Sequence, residues 1–219
     1  MGQEIDLLIN YPKTKRDLDS RLENKSEDDR KIARQFGKDF FDGDRKHGYG
    51  GFSYMPRFWG PVVPTFIKYW NLTPDSSILD VGCAKGFMMH DIKEAIKDIK
   101  IQGIDISDYA ISNCIDSMKD YVHVADAKDL PFEDNSFDVV ISINTIHNLD
   151  RKECGKALQE IERVSKKHSF VTVDAYRSEV EKQRMYAWNL TAKTIMSVDD
   201  WVSFFKKIGY TGDYYWFIP

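Results

Sequence analysis

The spacing of apolar positions changes character near residue 77. Ahead of it, Ile32, Phe36 and Phe40 stand four residues apart within a charged background, which makes one helical stripe. Ser26 followed by Asp29 has the form of a capping box with Asp in place of Glu, so the pattern predicts one helix from near Ser26 to near Gly43. The residues from Lys13 up to that cap mix charges of both signs and are expected to be loosely held. Gly48–Trp59 combines glycines with aromatics and Arg57, and reads as a covering loop. Pro61–Trp70 is predicted as a short helix and Asn71–Ser77 as a turn-rich joint.

After that joint, short apolar runs alternate with helical patterns. Strands are predicted at Ser77–Val81, Ile101–Ile106, Val122–Ala125, Phe137–Ile143 and Ser169–Asp174. Between them lie helical patterns at Phe87–Ile99, Tyr109–Met118 and Arg151–Lys167, the last with Leu158, Ile161 and Val164 on one face. Ala187–Met196 and Val198–Ile208 also read as helices, and Tyr214–Ile218 as an edge strand. Repeated βα units imply an α/β protein whose sheet is mostly parallel, with helices on both faces.

Composition narrows the partners more than the fold. The 219 residues suit one domain with additions, and 42% apolar with 30% charged residues fits a globular chain. No run reaches the roughly 18 uncharged apolar residues of a membrane span. The first ten residues lack the basic and then apolar order of a secretory signal. The cytoplasm is therefore the expected location, with no membrane partner. Cys83, Cys114 and Cys154 are far apart and odd in number, which gives neither a disulfide framework nor a CxxC metal pattern. The net charge of -4 provides no basic field for a polyanion, so nucleic acid is not an expected partner.

The candidate chemistry begins at Ile78-Leu-Asp-Val-Gly-Cys-Ala-Lys-Gly86, a strand running through Asp80-x-Gly82-x-Ala84-x-Gly86 into a helix. Small residues at Gly82, Ala84 and Gly86 let the backbone approach a ligand and would leave loop amides, that of Cys83 among them, near a helix N-terminus. Lys85 is expected to be solvated. The spacing is not the G-x-G-x-x-G of dinucleotide sites, and a carboxylate just ahead of the glycines would repel phosphate while suiting an ammonium-bearing ligand.

These residues resemble the first motif of the class I S-adenosylmethionine-dependent methyltransferases, with Ala84 where that motif has its middle glycine. Gly103-Ile-Asp105-Ile-Ser107 and Ala125-Asp126-Ala127 follow in order. The Asp129–Leu149 block looks like the small-molecule branch of the family, including the ubiquinone-biosynthesis type. The resemblance implies a Rossmann-like three-layer sandwich with a seven-stranded sheet and S-adenosylmethionine as cofactor. It implies that Asp105 holds the ribose hydroxyls with Ile106 beside it in the cofactor site, and that Asp126, with Ala127, stands near the adenine amino group; Asn144 is expected to line the methionine end. The division expected is an N-terminal helical and loop extension over 1–70, acting as a lid, and a cofactor-binding domain over 71–219.

His147, just beyond the fourth strand, is the candidate general base, which favours an oxygen acceptor. Its alternative is a histidine hydrogen-bonded within the loop. Tyr49, Tyr54 and Arg57 in the covering loop, and Tyr176 and Arg177 after the fifth strand, are the candidate acceptor-binding residues, the arginines implying an anionic group. Asn144-Thr-Ile-His147 lacks the Pro-Pro-aromatic run of enzymes that methylate amino groups of bases or glutamine. Asn144 and Asp174 make an incomplete metal set, so no metal is expected. The expected activity is methyl transfer to a small polar or anionic metabolite such as a sugar or sugar nucleotide. A protein methyltransferase and a cofactor-binding regulatory module without catalysis are the alternatives. A small-molecule acceptor is the expected partner, and a homodimer is left open.

Overall fold

The structure is a computed structural model that describes residues 2–13, 26–50 and 53–219. The expected loosely held stretch ahead of Ser26 lies mostly outside the described residues, as do Gly51 and Phe52 of the expected covering loop. Among the described residues, seven strands form one sheet: β1 (Ser77–Val81), β2 (Lys100–Asp105), β3 (Val122–Val124), β4 (Phe137–Ile143), β5 (Ser165–Tyr176), β6 (Met196–Ser197) and β7 (Asp213–Phe217). Their order is β3-β2-β1-β4-β5, with β7 beside Phe170–Asp174 and β6 beside Ala175–Tyr176. All the strand pairings are parallel. Ile78, Leu79 and Val81 of β1 are fully buried, as a central strand covered on both faces requires.

The helices are α1 (Glu27–Ala33), α2 (Lys38–Asp42), α3 (Pro56–Trp59), α4 (Val63–Trp70), α5 (Phe87–Ala95), α6 (Asp108–Ser112), α7 (Arg151–Val164), α8 (Glu179–Trp188) and α9 (Val198–Ile208). Two apolar clusters pack the two faces of the sheet. On one, Leu158 and Ile161 of α7 meet Trp201 and Phe205 of α9 over Leu79 and Val81. On the other, Phe66 and Trp70 of α4 and Met89 and Ile92 of α5 meet Ile78 and Ile101, and Leu7 joins them. The layers are helix, sheet, helix, with no helix long and apolar enough to cross a membrane among the described residues.

Several elements differ from the sequence pattern, each for a local reason. The expected helix from Ser26 to Gly43 is two helices. Its capping box forms, with the Ser26 hydroxyl accepting the Asp29 amide at 3.1 Å and the Asp29 carboxylate accepting the Ser26 amide at 2.8 Å. The helix then stops because Phe36 turns to a φ of 50° ahead of Gly37. The α5 helix ends at Ala95, four residues short of Ile99, as the chain extends at Ile96 and buries Ile96 and Ile99 on its way into β2. Tyr109–Met118 is also broken. The Asn113 side chain donates to the Tyr109 carbonyl, ending α6, and the Ile115 amide donates to the Lys85 carbonyl.

Ala187–Met196 is not a helix either. α8 ends at Trp188, where the Asn189 side chain bonds both backbone groups of Ala192 and closes a turn. Arg151–Lys167 stops at Val164, since Ser165–Lys167 already belong to β5. The expected edge strand is covered in part. The Ile5 amide donates to the Tyr214 carbonyl at 3.0 Å, and the Tyr214 amide donates to the Gln3 carbonyl at 3.1 Å.

Candidate active site

The order of the strands reverses between β1 and β4, and in folds of this kind the ligand crevice lies outside the carboxyl ends of the strands at such a point. The loop after β1 supplies its floor. Gly82 stands at φ 88°, Ala84 at 49° and Gly86 at 77°, three left-handed residues in five. At Gly82 no side chain fits, because a Cβ there would lie 2.1 Å from Thr145 Oγ1. Ala84 pays the steric penalty that glycine avoids, about 1–2 kcal/mol.

The amides expected to face the ligand are turned into the fold instead. Those of Gly82 and Cys83 donate to the Ile104 carbonyl at 2.7 and 2.9 Å, and that of Gly86 donates to the Cys83 carbonyl at 2.9 Å. The Ala84 amide donates to Asp105 Oδ2 at 2.9 Å, and the Ser107 amide to Asp105 Oδ1 at the same distance. Parallel pairing sets Asp80 beside Gly103, so these bonds draw the loop onto the end of β2. The loop therefore presents shape and carboxylates more than N–H groups.

Two buried carboxylates result. Burial, and then the charge of Asp105, push the Asp80 carboxyl up to about 8. Burial raises Asp105 as well, against the backbone amides of Ser107, Ala84 and Ile106 that lower it. Such a pair favours a ligand that carries positive charge. Each Asp105 oxygen keeps a second lone pair, so the carboxylate can still accept from a diol. Next to it Ile106 is 55% exposed, an apolar face at the crevice rim. The donor set thus fits S-adenosylmethionine: acidic and diol-accepting, with an apolar flank. Asp126 holds its own turn, Oδ1 accepting the Lys128 amide at 2.9 Å while Lys128 Nζ lies 3.4 Å from Oδ2; Ala127 follows it, half-buried.

Beyond β4, Asn144 takes a left-handed φ of 53° and accepts the Thr172 hydroxyl at 2.9 Å through its side-chain oxygen. His147 is 4% exposed, and its Nδ1 accepts the Asp174 amide at 2.9 Å. That bond uses the Nδ1 lone pair and leaves the ring proton on Nε2. Burial lowers the imidazole to about 3, so it stays neutral. Both features hold the loop to β5, which is the hydrogen-bonded alternative to the general-base expectation, and in this arrangement no ring lone pair is left for an acceptor's proton. Asn148 and Thr145 complete the short 3-10 turn around it.

The other expected acceptor residues separate. Tyr49 reaches the segment after α8, its hydroxyl accepting the Leu190 and Thr191 amides, and its ring stacks on Trp188 with centroids 5.6 Å apart. Tyr54 turns away, donating to Asp91 Oδ1 on α5 at 2.6 Å; that bond pushes its phenol up to about 12. Arg57 is exposed on α3, its guanidinium over the Phe58 ring. Tyr176 ends β5 with the Lys182 ammonium over its ring, and Arg177 pairs with Glu4 at 3.0 Å. Lys85 is not solvated: its side chain is 9% exposed and bonds Asp42 at 2.6 Å. Asp42 and Ser107, which receives no weight from local pattern, both touch the loop region only through tertiary contacts.

The fold is a Rossmann-like α/β sandwich in which the loop after β1 lies beside two buried carboxylates, Asp80 and Asp105. Residues 79–173 match the family model described as a methyltransferase domain. The sterol 24-C-methyltransferase erg6 of Schizosaccharomyces pombe is 30% identical over 159 residues, which cover 64% of this chain and 41% of that protein. The tRNA (carboxymethyluridine(34)-5-O)-methyltransferase of Arabidopsis thaliana is 34% identical over 145 residues, covering 65% and 33%. Among solved structures, that of the MccD protein superposes with a TM-score of 0.53 at 25% identity, covering 66% of this chain and 68% of that one. The chain spans less than half the length of these curated relatives. Residues 79–173 thus carry a methyltransferase domain of the class I S-adenosylmethionine-dependent kind, with S-adenosylmethionine as its cofactor.

Proposed function

We propose that this protein transfers the methyl group of S-adenosylmethionine to a small polar or anionic metabolite. The observation that carries this reading is the pair of buried carboxylates, Asp80 and Asp105, set on adjacent strands beside a loop of left-handed small residues. Asp80 would face the ligand's positive charge, Asp105 its ribose hydroxyls and Ile106 its adenine, with Asp126 and Ala127 at the adenine edge and Asn144 toward the methionine end. When bound, the cofactor supplies an already activated methyl group, so alignment and exclusion of water are the protein's tasks.

The 1–70 extension acts in two parts under this reading. Residues 26–50 serve as the lid, while α4 packs into the core of the cofactor domain. A lid that bridges the crevice favours a small acceptor over a macromolecule, and the net charge of -4 supports the same choice against RNA. Arg177 supplies the cation for an anionic acceptor, since its pair with Glu4 is half exposed and gives way at a cost of about 0–1 kcal/mol. Tyr49 and Tyr176 line the acceptor side.

With His147 held in its loop, the acceptor brings its own lone pair: an amine neutral at working pH or an oxygen already ionised. Two relatives bear on this, the phosphoethanolamine N-methyltransferase 1 of Arabidopsis thaliana and the ajmaline N-methyltransferase of Rauvolfia serpentina, 35% and 36% identical over 92 and 98 residues. The test is calorimetry with S-adenosylmethionine, its demethylated product and NAD, followed by labelled-methyl transfer to panels of amines, carboxylates and sugar nucleotides. Micromolar binding of the first two without NAD binding supports the reading. Absence of binding to either defeats it.

A further inference from the structure

Residues 36–49 cross the crevice and are tied down at three places. On the β2 side, the Ser107 hydroxyl donates to the Phe36 carbonyl, which the left-handed turn at Phe36 presents to it. Over the glycine loop, Lys85 Nζ lies 2.6 and 2.7 Å from the two oxygens of Asp42, and the Tyr109 hydroxyl donates to the same carboxylate at 2.7 Å. On the far side, the Tyr49 hydroxyl accepts the Leu190 and Thr191 amides at 2.7 and 3.2 Å. β1 and β4 stand between β2 and β5 in the sheet. A segment anchored at both sides therefore runs over the ends of β1 and β4, a span of about 14 Å at the usual strand spacing.

The middle tie is the charged one, and it holds the least self-sufficient piece of chain. α2 has five residues, too few to be stable alone. Its Phe40 ring meets Phe36 at 5.3 Å and Tyr49 at 6.2 Å, so one aromatic seam running through α2 joins the residues of the two outer ties. Lys85 sits between Ala84 and Gly86, so the strap is fastened to the loop that shapes the cofactor site. The Asp42 carboxylate pairs with a largely desolvated ammonium, and charge-assisted bonds of this kind are stronger than neutral ones. Its loss would free α2 while leaving both outer ties in place.

We propose that Asp42 is the latch of this strap, and that S-adenosylmethionine enters and its demethylated product leaves only when the Asp42–Lys85 pair is broken. The proposal rests on the cofactor reading above. Asp42→Asn keeps the shape and removes the charge, and Tyr109→Phe is a milder second variant. Asp28→Asn, whose exposed Lys31 partner lies on α1 outside the strap, is the control.

The experiment measures release of S-adenosylhomocysteine by stopped-flow chase, with hydrogen exchange of residues 36–49 in the same proteins. Asp42→Asn should release product about tenfold faster, equal to about 1.4 kcal/mol, bind it faster in parallel, and exchange faster across the strap. Tyr109→Phe should shift both in the same direction by less, and Asp28→Asn neither. Faster exchange with unchanged release overturns the gate, and unchanged exchange overturns the latch. Wild-type protein that binds neither cofactor nor product overturns the functional reading and the gate with it, a result separable from the exchange comparison.

Discussion

Gly82→Ala tests whether backbone geometry and a close approach together shape the cofactor loop. An added Cβ would stand 2.1 Å from Thr145 Oγ1, 2.3 Å from its Cγ2 and 2.6 Å from its Cβ. Thr145 is not free to yield, since its hydroxyl donates to the Ile143 carbonyl at 3.1 Å. The overlap should cost about 1–3 kcal/mol as overpacking, and the φ of 88° about 1–2 kcal/mol more for a residue with a Cβ. The sum, about 2–5 kcal/mol, corresponds to roughly 10 °C in Tm for a chain of this length. Thr145→Gly removes all three clashing atoms but leaves the backbone strain. Urea unfolding of the wild type, both single variants and the double variant closes a mutant cycle. The coupling energy should be about 1–3 kcal/mol in favour of the double variant, with the backbone part surviving in it. A Gly82→Ala protein within about 0.5 kcal/mol of wild type, or a cycle with no coupling, refutes the reasoning.

Three further outcomes follow from the site. Ala84→Gly relieves a φ of 49° and should stabilise by about 0.5–1 kcal/mol; chemical denaturation reads it, and a loss of stability contradicts the strain. His147→Ala leaves the Asp174 amide without its acceptor and should destabilise by about 1–3 kcal/mol, while the pH dependence of kcat in the folded protein stays unchanged; a lost ionisation in the pH–rate profile would restore His147 as the base. For Asp80, the folded carboxyl titrates near 8 and the unfolded one near 4, so the folded state holds its proton more tightly. Stability without ligand should therefore fall as pH rises from about 4 to 8, and Asp80→Asn should flatten that slope while weakening S-adenosylmethionine binding. Thermal unfolding across this pH range and calorimetry check the two halves, and an unchanged slope would mean that Asp80 is already ionised.

Much of the fold was legible in the order of periods along the chain. Six of the strands and α7 and α9 stand close to where alternation of short apolar runs with helical stripes places them, because buried parallel strands and amphipathic helices carry strong local signals. The capping box at Ser26 was likewise legible, since Ser26 and Asp29 satisfy each other within four residues. The glycine loop, Asp80 and Asp105 could be singled out because backbone permissiveness and carboxylate chemistry belong to residue types.

Tertiary contacts decided the rest. Phe36 broke an apparent helix where the Ser107 hydroxyl, 71 residues away, donates to its carbonyl. Tyr54 and Arg177 found partners in Asp91 and Glu4, which composition could not pair with them. Lys85 became buried because Asp42 and Tyr109 come to meet it, and the Nδ1 lone pair of His147 is taken by the Asp174 amide, 27 residues away. The α/β alternation and the acidic, glycine-permissive loop rest on intrinsic periods and backbone freedom, so the chain's own order of residues carries them. Which side chains stand at the strand ends and which are taken up in ties to other segments was settled by the folded packing, because burial and hydrogen-bond partners depend on residues far apart in the chain.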